Sequence, residues 1–232
     1  MVPQVKKKLF GMFIRRERWG LSLRGWIISI MLVLLAGLVW VWNVHPFLAQ
    51  TRRTDTEILV VEGWVHEFVM PLAVKEFQAG HYDKIYTTGG PITGTDGATN
   101  VFNTSASVGA ERLLHAGMPA ELVQMVPAHV VGRDRTYSSA IALRDWFREH
   151  HMAVSSINVM TEDAHGRRSR LLFQEAFGKT AEVGVISVQN PDYDPQHWWR
   201  YSEGVREVLG ESIAYLYAEF LFRPGKAAEQ VP

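Results

Sequence analysis

The sequence predicts a three-layer α/β/α sandwich with a mainly parallel sheet, preceded by one N-terminal transmembrane helix. Three observations carry this reading. A seventeen-residue run, Trp26–Trp42 (WIISIMLVLLAGLVWVW), contains no charge. Beyond it, short β-branched runs alternate with longer segments of helical period. No internal repeat or low-complexity tract interrupts that alternation, and strands separated by helices imply parallel βαβ units with right-handed crossovers.

The apolar run continues through Val44, and about 20 helical residues cross a hydrocarbon core roughly 30 Å thick. Trp26 stands at one end and Trp40 and Trp42 at the other, where indole rings prefer the headgroup region. Pro46 is expected to discourage continuation of the helix. Before residue 26 stand seven basic residues (Lys6, Lys7, Lys8, Arg15, Arg16, Arg18, Arg24) and one acid, Glu17. Basic flanks stay inside, so residues 1–25 read as a cytoplasmic segment, 26–44 as the span, and the rest as extracytoplasmic. A cleavable signal fits less well: Ala49 suits a cleavage site, Phe47 does not.

The chain of 232 residues balances 24 Lys+Arg against 24 Asp+Glu, which gives no basic footprint for nucleic acid. The absence of cysteine excludes disulfides, thiolate metal sites and cysteine nucleophiles. The histidines show no metal-ligand spacing, and no metal is expected.

Residues 45–56 read as a polar tether, 57–222 as the α/β domain and 223–232 as a tail. Glu57–Glu62 (EILVVE) is a continuous apolar run, as in a strand covered on both faces. A helix over 67–80 stops at Gly80. Lys84–Thr88 is a second strand, followed by a Gly/Thr/Asn-rich stretch, Pro91–Asn103, expected to be a mobile loop. Helices are expected over Thr104–His115, Asp134–His150 and 165–177, and strands at Leu122–Val126, Ser156–Thr161 and Glu182–Val188. His197–Phe222 reads as one long helix. Its apolar side (Val208, Ile213, Leu216, Tyr217, Phe220, Leu221) is expected to pack on the sheet, a membrane-facing or dimer role being the less favoured reading.

Open α/β sheets bind ligands beyond the carboxyl ends of their strands. Those ends are Glu62-Gly63-Trp64, Thr88-Gly89-Gly90, the segment Gly132–Tyr137 before a helix, and Thr161–Arg168. Glycines there admit close backbone approach, and free N–H groups favour an anion. Arg133, Arg135, Arg167 and Arg168 supply forked donors for phosphate or carboxylate, although for any single one a salt bridge to Glu162, Asp163 or Asp134 is the favoured reading. His165 and Arg168, three apart, share a helix face, and His165 suits proton transfer. The residues alone point to an anion-tolerant pocket.

The order VVEGW, TTGG, HAGMP, RDRTY and VMTEDAHGRRSRLLF over residues 57–188 resembles the SanA/ElyC/YdcF-like family of bacterial envelope proteins (domain of unknown function 218). The resemblance implies a Rossmann-like domain and a role in cell-envelope integrity, in peptidoglycan or lipid-carrier metabolism. The family's turn residues fall on Glu62, Gly63, Gly89 and Gly90, and its Thr…His…Arg signature on Thr161, His165 and Arg168. Relatives carry an acid near the helix start at Ser105 and Glu-Asn where this chain has Ser138 and Ser139. The cofactor stays unassigned.

The site expected is therefore His165 and Arg168 as catalytic residues, with Glu62, Gly63, Thr88, Gly89, Gly90, Arg135, Thr136 and Thr161 binding a ligand. The function expected is a factor in the bacterial inner (plasma) membrane that binds an anionic, phosphorylated small molecule or lipid-carrier headgroup, with or without hydrolase or transferase activity. The rival is a non-catalytic interaction protein docking through its C-terminal helix, and Trp198-Trp199 would serve such an interface.

Overall fold

A computed structural model describes residues 21–93, 99–129 and 134–224. Residues 1–20 of the basic segment, 94–98 of the expected loop, Gly132 and Arg133, and the tail beyond 224 lie outside the described residues. The chain forms two compact units, divided between Val41 and Trp42. Helix α1 (Leu23–Leu48) is long and apolar enough to cross a membrane. In the first unit its large side chains, such as Met31, Val33 and Leu34, are exposed.

The second unit contains five parallel strands: β1 (Ile58–Glu62), β2 (Lys84–Gly89), β5 (Val123–Pro127), β6 (Ser156–Glu162) and β7 (Glu182–Val188). Their order is β5-β2-β1-β6-β7. Alternate side chains of the sheet feed two cores. Leu59, Val61, Ile85, Met160 and Ile186 pack with α2 (Val69–Ala79) and α3 (Ser105–His115). Val60, Tyr86, Val159 and Val183 pack with α4 (Arg135–Glu149) and α5 (Gly166–Phe177). The predicted strand positions hold, most plainly for β1, whose ILVV run is covered on both faces.

The strand order reverses between β1 and β6, a topological switch point, where a crevice opens at the carboxyl ends. Gly63 and Gly89 bring α3 to that edge. A Cβ on Gly63 would lie 2.0 Å from the Ser105 carbonyl oxygen, and one on Gly89, with φ +149°, would lie 2.5 Å from Ser105 Cβ. These glycines let a helix seat closely on the strand ends.

Four expectations need correction. The helix does not end at Pro46: it runs to Leu48, where Val44, His45 and Leu48 are buried in the domain. Residues 45–56 are accordingly not a free tether. Arg52 exchanges both backbone hydrogen bonds with Val185 (2.7 and 2.8 Å), and its chain covers part of the exposed edge of β7. The expected loop at 91–103 contains a hairpin, β3 (Pro91–Thr93) with β4 (Thr99–Thr104).

The last correction concerns the C-terminal segment, which is three pieces instead of one helix. A 3-10 segment (Pro195–Arg200) precedes α6 (Ser202–Leu216), and a π turn follows (Tyr217–Leu221). The π turn is closed by the Phe222 N–H donating to the Tyr217 carbonyl, 2.8 Å. Only Val208 of the predicted apolar stripe is buried; Ile213, Leu216, Tyr217, Phe220 and Leu221 are exposed.

Candidate functional site

At the switch point lies a cavity of about 380 Å³. Glu62 comes from the end of β1, Thr88 and Gly89 from the end of β2, and Ser105, Arg135 and Thr136 from the first turns of α3 and α4. His165 and Arg168 come from the loop and first turn after β6, and Glu211 reaches in from α6. Leu172, Ala214, Tyr217, Ala218 and Phe222 form an apolar wall. Of the predicted residues, Glu62, Thr88, Gly89, Gly90, Arg135, Thr136, His165 and Arg168 line the cavity. Gly63 and Thr161 are not among the lining residues.

His165 is the centre of the polar half. Its Nδ1 lies 3.0 Å from Glu211 Oε1 and 2.9 Å from Arg168 Nη2. Its Nε2 is buried, has no hydrogen-bond partner among the described residues, and stands 3.8 Å from Glu62 Oε2. Trp64 packs edge-on against the imidazole, ring centroids 4.6 Å apart. Glu62 is itself fixed, accepting the Ser169 hydroxyl at 2.5 Å. Thr88 Oγ1 is likewise buried without a partner among the described residues. Buried polar atoms are nearly always satisfied, so an unmet ring nitrogen and an unmet hydroxyl on one cavity mark where ligand atoms would complete the bonding.

Arg168 does not present a free cation. Its Nε donates to Glu211 Oε2 at 2.8 Å and its Nη2 to Oε1 at 2.9 Å, a two-pronged pair. Burial pushes the Glu211 carboxyl up, but hydrogen bonds from His165 and Arg168 outweigh it and hold Glu211 down at about 2. The salt-bridge alternative for Arg168 is therefore realised, with Glu211 as a partner that local sequence gave no reason to name. Arg167, also singled out in sequence, faces away: it stacks on Phe47 at 3.8 Å and donates to that residue's carbonyl. There it caps the end of α1, where a cation suits the helix dipole.

Arg135, exposed at the mouth, forms no ion pair among the described residues. The first turn of α4, which it opens, has no side-chain cap, and Asp134 before it sits at φ 53°. A helix start that the Asp134 side chain does not cap, beside a guanidinium without an ion pair among the described residues, is a favourable place for an anion.

With Nδ1–H donated to an ionised Glu211, Nε2 carries a lone pair into the cavity and can accept a proton. The imidazolium then formed lies between two carboxylates, Glu211 and Glu62. If Nδ1 instead accepts from Arg168, Nε2 carries the hydrogen and can donate it. The first state is that of a general base held by a carboxylate, the second that of a general acid held by the Arg168 guanidinium.

Beside this site is a second acidic cluster. Glu162 accepts from the His66 backbone N–H at 3.2 Å and from Asn190 Nδ2 at 3.1 Å. Asp163, with φ 39°, accepts from the Asn190 N–H and lies 2.6 Å from His45 Nε2 on the last turn of α1. Burial, then Asp163 and Glu162, push the neighbouring Glu207 carboxyl up to about 7. Among the described residues no group of His, Cys, Asp or Glu is arranged to hold a metal ion. Searches of protein-family models, curated proteins and solved structures found nothing that matches the chain.

Proposed function

We propose that this protein is anchored by α1 in a bacterial inner membrane, with its N-terminus cytoplasmic and its α/β domain outside. Its role in this reading is in envelope biogenesis or integrity, as the sequence resemblance to the SanA/ElyC/YdcF-like proteins implies. The cavity binds the anionic, phosphorylated headgroup of a small molecule or lipid carrier, and His165 performs acid/base chemistry on it as a hydrolase or transferase. The observation that carries this reading is the buried His165 imidazole, held at Nδ1 by Glu211 and open at Nε2. Arg135 and the start of α4 supply the positive rim, while Glu62 stands 3.8 Å from Nε2 on the opposite side of the imidazole.

The test uses the full chain in lipid nanodiscs, because Leu48 and His45 belong to the domain's interior and a truncation at residue 50 would remove them. Melting temperature is recorded against inorganic phosphate, nucleotides, S-adenosylmethionine and polyprenyl-phosphate analogues. A ligand at about 100 times its Kd adds roughly 2.7 kcal/mol. A shift in wild type that is lost in folded His165→Ala and Arg135→Ala supports the site. A shift retained in both variants places the ligand elsewhere and refutes it.

A further inference from the structure

The exposed apolar face of α6 and its π turn is the largest feature the cavity chemistry leaves unused. Ile213 is 70% exposed, Phe220 66%, Leu221 70% and Leu216 53%. The segment Ile213–Phe222 (IAYLYAEFLF) carries a single charge, Glu219, which accepts the Tyr215 hydroxyl at 3.0 Å. Water-soluble domains seldom expose so many large apolar side chains on one stretch.

The residues flanking this segment are those at which the chain leaves its apolar span. Trp42 packs edge-on against Trp199, just before α6, with ring centroids 5.2 Å apart. Phe47, itself exposed, meets Tyr215 of α6 edge-on at 5.5 Å, and Arg167 lies over Phe47. Tryptophan, tyrosine and arginine gathered in this way are the residue types that populate a membrane–water interface. The 3-10 segment with Trp199 and the end of α6 with Tyr215 are thus both in contact with the juxtamembrane turn of α1.

We infer that the face bearing Ile213, Leu216, Phe220 and Leu221 lies on the leaflet from which α1 emerges, as an interfacial helix buried by lipid acyl chains. The inference rests on the membrane reading of α1, and goes beyond the chemistry proposed for the cavity. An amphipathic segment with its charge kept off the apolar side lies in the interface plane and buries that side among acyl chains. The π turn matters here because its wider winding sends Tyr217, Ala218 and Phe222 to the cavity wall while Phe220 and Leu221 remain outside. Tyr217 belongs to both surfaces, so the rim of the cavity adjoins the lipid-facing patch. An amphiphile could enter with its headgroup in the polar half and its tail remaining beside α6.

The absence of native cysteine makes the test clean. Single variants Leu34→Cys, Ile213→Cys, Phe220→Cys and Met125→Cys are each labelled with an environment-sensitive fluorophore in the full chain. They are placed at one copy per nanodisc, with acyl chains either plain or brominated. All four positions are exposed, so none disturbs the core, and an unchanged melting temperature confirms the fold. Leu34 reports on the span, and Met125, 51% exposed on the far strand β5, is the aqueous control. The expected result is quenching at positions 34, 213 and 220 several-fold stronger than at 125. Quenching at 34 with positions 213 and 220 behaving like 125 overturns the inference and leaves the anchor intact. No quenching at 34 overturns the membrane reading itself. Protection of 213 and 220 that requires two copies per disc assigns the face to a second copy of the chain and also overturns it.

Discussion

Glu207 and Glu211 lie one turn apart on α6, both point toward the carboxyl edge of the sheet, and they end up with opposite chemistry. Glu211 is held at about 2, against an ordinary value of 4.5, while Glu207 is pushed up to about 7. Burial raises both. The difference lies in the donors: His165 and the two-pronged Arg168 guanidinium bond to Glu211, whereas Glu207 faces Asp163 and Glu162 and meets only neutral donors, the Asn190 amide at 3.2 Å and the Tyr193 hydroxyl. Two neighbouring carboxylates thus become a fixed negative charge beside the site and a proton-holding group beside the last turn of α1.

The largest way to break this contrast is to remove the arginine. Arg168→Met leaves Glu211 buried without its cation and is expected to cost about 3–5 kcal/mol at neutral pH. Chemical denaturation measures the loss, and a double variant with Glu211→Gln should recover much of it, because the two changes are coupled. A smaller effect is expected where the second cluster meets α1. Leu48→Ala opens a hole in the interior and should cost about 2–5 kcal/mol. His45→Ala leaves Asp163 short of a partner and should cost about 1–3 kcal/mol. Both are read from the domain's melting, and a polar tether at this position would show neither loss.

The smallest effect sharpens the comparison through pH. Glu207 titrates near 7 folded and near 4.5 when unfolded, so its protonated form favours the fold. The stability it confers is complete below pH 4.5 and is lost as pH rises through 7. Glu207→Gln should flatten that part of the melting profile and raise stability at pH 8 by about 1 kcal/mol, since one unit of displacement is worth ~1.4 kcal/mol and partial exposure screens it. Glu211 has the opposite sign: its contribution is present above pH 4.5 and lost as pH falls toward 2.

The parts of the molecule readable from sequence are those written locally. The strands β1, β2, β6 and β7 are short apolar or β-branched stretches, and the ends of β1, β2 and β6 with the turns after them supply Glu62, Thr88, Gly89, His165 and Arg168 to the cavity. What the sequence hid depends on partners far along the chain. Glu211 stands 43 residues from Arg168, and nothing in the sequence around it marks it as that residue's partner. The apolar stripe of α6 was assigned to the sheet because hydrophobic periodicity does not distinguish a protein core from another apolar surface. Pro46 does not end α1, because the last turn is held by Leu48 packing and the His45 hydrogen bond, partners the local sequence does not show. The hairpin of β3 and β4 was missed because its Gly/Thr/Asn composition reads as loop.

The account stands on His165 as the group that moves a proton in the cavity. The direct measurement is turnover of phosphate monoesters and polyprenyl phosphates by the full chain in nanodiscs, with His165→Ala and Glu211→Gln beside wild type. The account predicts turnover that falls by about 10²-fold or more in His165→Ala, the usual worth of a general acid/base, with Glu211→Gln between the two. Turnover by folded His165→Ala at the wild-type rate would contradict it.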